Sequence, residues 1–331
     1  MSRGRARPFS AWLLDWYDAG HRDLPWRRTD DPYRILVSEI MLQQTRAQTV
    51  IPYYERFLAR FPDAQALADA PEQDVLACWS GLGYYSRARN LQKTAKLIGS
   101  HFPREYEAIR SLPGIGDYTA AAIASIAFGA PYAVLDGNVM RVIARVANDP
   151  SDIGSPGTRV RFRRIAQEWL DQGRPGAFNQ AIMELGATVC LPRAPQCLLC
   201  PVHSLCQARA AGRESQLPVK LRKAEPEKIA TTLAIAERDG RILFWQRTAE
   251  DRRMAGFWEL PSLEQLPNAA GPCKIGSFRH TITHHHYVVT VWRVAVRRAP
   301  HSLQWLDSQK LHLLPLSTTS KKALHLSGIS L

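Results

Sequence analysis

Two carboxylates in this chain keep unusual company. Glu39 lies in YRILVSEIMLQQT, and Asp136 lies in YAVLDGNVMRV. A carboxyl group set among Ile, Leu, Val and Met is partly desolvated, which favours its protonated form, the state a general acid needs. Asp136 also stands just before a helical run, where Asp commonly caps the helix, and that reading accounts for it equally well.

Four cysteines form a second constellation. Cys190, Cys197, Cys200 and Cys206 have the spacing C-x6-C-x2-C-x5-C, with prolines at 192, 195 and 201 shaping the loop. Four thiolates so close together suit one tetrahedral metal ion or an iron–sulfur cluster, and spacing alone does not choose between them. Cys78 and Cys273 stand apart and are expected as buried thiols. A third feature is LPGIGDYTAAAI, residues 112–123. Gly114 and Gly116 allow a tight turn that aims backbone N–H groups outward at a helix start, which favours an anion such as a DNA phosphate. A fourth is FRHTITHHHYVV, residues 278–289. Read as one extended strand, it puts His280, Ile282, His284 and His286 on one face, and two histidines so placed can bind a metal.

The elements that must position these residues follow from pattern. The chain has 331 residues, 45% of them hydrophobic and 22% charged, enough for two globular domains. Its net charge of +13 points to a polyanionic partner, most simply nucleic acid. The basic start MSRGRARPFS is followed by no apolar segment, so no secretory signal is expected, and the chain is placed in the cytoplasm, with the nucleoid if bacterial. Residues 119–135 are apolar but too short for a membrane span, and predict a buried helix and a turn. Residues 1–212 predict helices at three-to-four apolar spacing, separated by Pro and Gly. Residues 213–227 predict a charged linker. Residues 228–331 predict a small mixed domain with a sheet and a hairpin turn at Asp239-Gly240. That domain carries 14 basic against 7 acidic side chains, so it too is expected to face a polyanion. RVRFRR, residues 159–164, reads as a DNA-backbone contact or as a solvated helix face.

Taken in order, LPWR (24–27), SEIMLQQT (38–45), GLGYYSRARNL (81–91), LPGIGDYTA (112–120), LDGNVMRV (135–142), FNQAIMELGA (178–187) and the four-cysteine loop resemble the MutY-type adenine DNA glycosylases of the endonuclease III superfamily. The likeness continues more weakly through AGFWELPS (255–262) and FRHTITHHH (278–286). The resemblance implies a multidomain α and α+β protein: a helix–hairpin–helix glycosylase domain with a [4Fe–4S] cluster on the four cysteines, plus a Nudix-like α+β domain. It divides residues 1–212 into a six-helix lobe of about 28–136 and an iron–sulfur lobe from 1–27 and 137–212. It also implies a monomer that binds duplex DNA and removes adenine mispaired with 8-oxoguanine or guanine.

Residue roles carry over by position. Glu39 is implied as the acid that protonates adenine and then helps activate water; Asp136 is implied to stabilise the oxocarbenium-like sugar, a division of labour familiar from glycoside hydrolysis. Tyr118 and Asn138 match positions that assist in the site, and Arg27 and Gln180 match positions around the flipped base. The LQQT segment with Gln44 and Thr45, and GLGYY with Leu82 and Tyr84, resemble intercalating elements, Gln44 and Tyr84 being the wedge candidates. Strand-cleaving relatives carry a lysine where this chain has Tyr118, so base excision is expected without efficient strand cleavage; a bifunctional glycosylase/lyase is the alternative.

The resemblance also bears on the second domain. An active Nudix hydrolase needs a Glu-rich helix to hold Mg²⁺. After FWELPS this chain has LEQLPNAAGPCKIG, in which Glu264 is the sole acid, so nucleotide pyrophosphohydrolase activity is disfavoured. A non-catalytic DNA-binding protein is disfavoured by the presence of both Glu39 and Asp136. The family places H-x-F-S-H where this chain reads His280-Thr281-Ile282-Thr283-His284. Both histidines remain, Thr283 keeps a hydroxyl, and Ile282 keeps an apolar wedge without an aromatic face. The stretch is therefore expected to be a strand-loop that reads 8-oxoguanine.

Overall fold

The computed structural model describes residues 7–221, 227–248, 250–251, 254–282 and 285–329. It divides into two compact units, one of residues 1–68 with 93–222, the other of residues 69–92 with 223–331. The second unit therefore takes a segment from deep inside the region expected to be all glycosylase domain.

Chain order gives helices α1 (Phe9–Gly20), α2 (Pro32–Leu42), α3 (Ala47–Arg60), α4 (Ala64–Asp69), α5 (Glu72–Trp79), α6 (Ser86–Ile98), α7 (Tyr106–Arg110), α8 (Asp117–Phe128), α9 (Gly137–Val146), α10 (Pro156–Trp169), α11 (Pro175–Thr188) and α12 (Gln207–Ala210). Local chemistry sets their ends. Asp31 caps α2 by accepting from the Tyr33 N–H at 2.8 Å, and Pro32 occupies the first turn, where its missing N–H costs nothing. Gly129, in the left-handed region at φ 66°, closes α8.

The helical core is built on α8, α9 and α11. Ala121, Ala122, Val139, Val142, Ile143, Phe178, Ile182 and Leu185 are all buried there. Close approach depends on absent side chains. A Cβ on Gly176 would lie 2.7 Å from the Ser125 carbonyl oxygen, and one on Gly186 would lie 2.6 Å from Asn138 Cβ. The missing methyl at 186 lets α11 lie directly against the start of α9.

The segment expected as a linker is anchored over its first half. Leu217 is buried, its carbonyl accepts from Arg145 Nε at 2.9 Å, and the Val219 carbonyl accepts from the Ile153 N–H at 3.0 Å. RVRFRR resolves into ion pairs: Arg161 with Asp149, Arg163 with Asp117, Arg164 with Glu168. Among the described residues no helix is long and apolar enough to cross a membrane.

The other unit holds two sheets. In one, β1 (Glu227–Ile235) runs parallel to β6 (His285–Ala295), which pairs antiparallel with β5 (Ala270–Ile282). In the other, β3 (Arg241–Gln246) pairs with β2 (Glu237–Arg238), β4 (Trp258–Glu259) and β7 (Leu303–Asp307). Asp239 and Gly240, at φ 52° and 69°, make the expected tight turn between β2 and β3. Helix α13 (Thr318–Leu326), capped by Ser317, buries Ala323 and Leu324 against Ile242, Phe244 and Val291.

Two expectations are corrected here. Residues 278–289 are not the single strand on which the metal-binding reading of the histidines depends: β5 ends at Ile282 and β6 begins at His285, and His280 pairs with Tyr287. The β-branched and aromatic residues continue on both sides of the reversal, and no Gly, Pro or Asn marks it. Cys273 is exposed and Cys78 half-buried, where both were expected in a core.

Candidate active site

A cleft of about 600 Å³ in the helical unit gathers residues from five segments. Its lining includes Trp26 and Arg27 before α2, Glu39 on α2, Thr45 beyond α2, Tyr118 on α8, Asp136 and Asn138 at the start of α9, and Gln180, Met183 and Glu184 on α11. Glu39, Tyr118, Asp136, Asn138, Arg27, Gln180 and Thr45 were all expected in the site. Residues as far apart in sequence as Arg27 and Glu184 meet because α2 and α11 both pack on α8.

Glu39 is 5% exposed, and its Oε2 is buried without a hydrogen-bond partner. Burial pushes its carboxyl up to about 7, with the Asp136 charge adding to that and contacts to Tyr118 and Arg27 opposing it. A carboxyl near 7 carries its proton for much of the time at neutral pH and has an unpaired oxygen to direct at a base. The Tyr118 hydroxyl donates to Met183 Sδ at 3.0 Å; burial and the two neighbouring carboxylates push its pKa far above the phenol range.

Asp136 both caps α9 and lines the cleft. Its Oδ1 accepts from the Val139 N–H at 2.7 Å, capping α9, while its Oδ2 accepts from Asn138 Nδ2 at 2.9 Å. Asn138 is oriented in turn by Arg141, whose Nη2 donates to Asn138 Oδ1 at 2.8 Å and to the Gly186 carbonyl at 2.7 Å. Burial pushes the Asp136 carboxyl upward, and these bonds, with the Arg141 charge, oppose it.

Sequence reasoning missed the buried acid Glu184. It accepts from Arg22 Nε and Nη2, both at 2.7 Å, and from Arg27 Nη2 at 2.8 Å. Burial alone would raise its pKa; the two guanidiniums hold it at about 2 instead. Arg27 Nη1 also donates to the Arg22 carbonyl at 3.0 Å, so its fork is fixed. Gln180, also in the lining, is fixed through its Oε1, which accepts from the Tyr17 hydroxyl at 3.1 Å. The signal for Glu184 was the one that found Glu39, an acid in an apolar helix, here in FNQAIMELGA.

Other expected residues lie elsewhere. Gln44 is exposed, with φ 59°. Tyr84 is 42% exposed with φ 49°, whereas Leu82 is 6% exposed. Gly114 and Gly116 are exposed in the hairpin before α8. Asp117, in the first turn of α8, is held by Arg110 at 2.6 Å and Arg163 at 2.8 Å, which offsets the repulsion its charge would exert on a phosphate there. His280 is half-buried on β5; Thr283 and His284 lie outside the described residues, as does the side chain of Ile282.

Cys190, Cys197, Cys200 and Cys206 line one cavity with Val142, Arg145 and Val202. Arg145 Nη1 lies 3.2 Å from Cys190 Sγ, and burial pushes the Cys200 thiol up to about 12. Among the described residues no three His, Cys, Asp or Glu converge closely enough to hold a single ion. Four thiols around one cavity, with the Arg145 cation beside one of them, offer the sulfur donors that a metal ion or an iron–sulfur cluster takes.

The helical fold, the glycine hairpin and the two carboxylates beside it define a class, the helix–hairpin–helix base-excision glycosylases. Residues 37–170 match the HhH-GPD superfamily of base excision DNA repair proteins. The helical part resembles a thermostable thymine-DNA glycosylase, with TM-score 0.55 and 30% identity over 61% of this chain and 95% of that one. It also shares the fold of endonuclease III in complex with DNA, at TM-score 0.52 and 21% identity over 61% of this chain and 94% of that one.

The chain belongs to the adenine DNA glycosylase family. It is 36% identical to the adenine DNA glycosylase of Homo sapiens over 95% of this chain and 73% of that protein. It is 35% identical to that of Mus musculus over 95% and 76%. It is 36% identical to that of Buchnera aphidicola over 72% and 69%. It is thus an enzyme of base excision repair that acts on adenine in DNA.

Proposed function

We propose that this enzyme hydrolyses the N-glycosidic bond of adenine mispaired with 8-oxoguanine or guanine and leaves an abasic site without cutting the strand. The observation that carries the reading is Glu39: a buried carboxyl raised to about 7, with one oxygen unpartnered, in the same cleft as a capped, hydrogen-bonded Asp136.

The flipped adenine enters the cleft beside Arg27 and Gln180, at a cost of a few kcal/mol for unstacking that a mispair reduces. Glu39 delivers its proton to a ring nitrogen of the base. The C1′–N9 bond then breaks with its electron pair leaving on a neutral purine. Positive charge develops on the sugar, and Asp136, held by Val139 N–H and the Arg141–Asn138 relay, stabilises it. Glu39, now ionised, accepts a proton from water as that water adds to C1′. Tyr118 stays a neutral phenol and offers no amine for a Schiff base, which accounts for excision without β-elimination. Cys190, Cys197, Cys200 and Cys206 would hold a [4Fe–4S] cluster, which would cross-link the loop after α11 and bring a redox-capable centre. Discrimination for 8-oxoguanine is assigned to His280, Ile282, Thr283 and His284.

Single-turnover assays on A:8-oxoguanine, A:G, A:T and T:G duplexes test the reading. Adenine release from the first two, with none from A:T or T:G, is expected. Asp136→Asn should abolish release while α9 stays capped, because Asn caps as well as Asp. Thymine release from T:G, or covalent trapping by borohydride, would overturn it.

A further inference from the structure

The turn that carries Tyr84 is braced from within and seated from without. Gly81, Gly83 and Tyr84 all have positive φ, at 113°, 71° and 49°. For Tyr that conformation is strained, and it persists only where the surroundings impose it. Here they do. The Gly83 carbonyl accepts from Trp79 Nε1 and from Arg87 Nη2, both at 3.2 Å, and the Leu82 carbonyl accepts from Arg87 Nη2 at 3.2 Å. The Arg87 guanidinium lies 5.3 Å from the Tyr84 ring. Leu82 and Tyr85 point inward at 6% and 5% exposure, while Tyr84 between them stands out at 42%.

The seat comes from a turn about 170 residues later in the chain, within the same compact unit. The ring of Tyr85 packs on that of Phe257, centroids 3.9 Å apart, and Phe257 is fully buried. Arg89, one turn into α6, donates from Nη2 to the Ala255 carbonyl and from Nε to Glu72 at 2.8 Å. Ser80 Oγ reaches the Leu316 carbonyl at 3.5 Å. The receiving turn is itself bent by Met254 and Gly256, at φ 58° and 77°, and closed by the Phe257 N–H to the Met254 carbonyl at 3.0 Å.

We propose that Phe257 and the Ala255 carbonyl are positioning elements for Tyr84: the 254–257 turn seats the strained GLGYY turn and so presents the wedge that enters the DNA stack. This rests on the reading of Tyr84 as a wedge. A preformed aromatic wedge needs no ordering when it meets DNA, so its stacking free energy is spent on opening the duplex. A turn without its seat relaxes towards φ below zero, and the ring then points elsewhere.

The test uses the full-length enzyme with its cluster and a duplex carrying 2-aminopurine next to an adenine mispair. Fluorescence on binding reports unstacking, and single-turnover excision reports chemistry. Tyr84→Ala should lower both, excision by roughly tenfold, as removal of one base–aromatic stack does. Phe257→Ala and Arg89→Met should lower both in the same direction. The double variant Tyr84→Ala/Phe257→Ala should fall no further than Tyr84→Ala alone, since both changes remove one function. Additive losses in the double variant would mean that Phe257 acts only by holding the unit together, and would overturn the inference. Arg89→Met disturbs a part-exposed side chain, so it decides the matter if Phe257→Ala fails to fold; a full unstacking signal from Arg89→Met would also overturn it. Wild-type behaviour of Tyr84→Ala would refute the wedge itself, and this inference with it.

Discussion

Replacing Glu39 by Gln should separate activity from stability in opposite directions. The buried carboxyl is raised from 4.5 to about 7. The folded state therefore binds the proton more tightly than the unfolded state, and folding takes up a proton between those values. The associated stabilisation is fully present below pH 4.5 and is lost as pH rises through 7. At 1.36 kcal/mol per pKa unit the loss is about 3 kcal/mol, with little discount for solvent screening because Glu39 is 5% exposed. A glutamine side chain at this position has nearly the same shape and no charge to desolvate, and every other titrating group is common to the two proteins. The stability of Glu39→Gln relative to wild type should thus increase by about 3 kcal/mol between pH 4.5 and pH 8, read as a widening gap in melting temperature of several degrees. Excision by the variant should vanish at every pH, and excision by wild type should fall as pH rises above 7. A stability difference that does not change with pH would refute the burial argument. Excision at the wild-type rate by Glu39→Gln would refute the assignment of the acid.

Glu184→Gln should behave in the reverse sense: the wild-type carboxylate is held at about 2, so its contribution is present above pH 4.5 and is lost as pH falls through 2. At pH 7 the variant should be less stable by about 3 kcal/mol, with the gap closing in acid; equal melting temperatures at pH 7 would contradict the paired geometry. Gly186→Ala puts a methyl 2.6 Å from Asn138 Cβ, which must push α11 from α9. A cost of about 1–3 kcal/mol and a loss of excision are expected in thermal unfolding and single-turnover assays, and an equally stable, fully active variant would contradict the close packing.

Much of the lining of the candidate cleft was legible because its residues break a local rule. Glu39 and Asp136 are acids in apolar surroundings, and the structure puts both in one cleft with Tyr118 and Asn138. Asp239-Gly240 is a turn signal with a single solution, and it forms that turn. What stayed hidden depends on partners far off in sequence. Glu184 acquires its low pKa from Arg22 and Arg27, which no pattern around residue 184 discloses. The register that sets His280 opposite Tyr287 comes from pairing between β5 and β6, which alternation within the stretch does not disclose. Residues 69–92 read as one more helical stretch, and only their packing assigns them to the unit of Phe257 and Leu316.

That assignment has a consequence for biosynthesis. Ser80 and Arg89 leave the ribosome 236 and 166 residues ahead of the carbonyls they bind. At about 5–20 residues per second the delay is on the order of ten seconds or more. The helices around the cleft can collapse within that interval, but Phe257 and the Ala255 carbonyl, on which the Tyr84 turn is seated, are not yet made. A nascent chain stalled before residue 255 would hold the Glu39 cleft and lack the seated turn, so the order of translation withholds the competent state until that later segment has emerged.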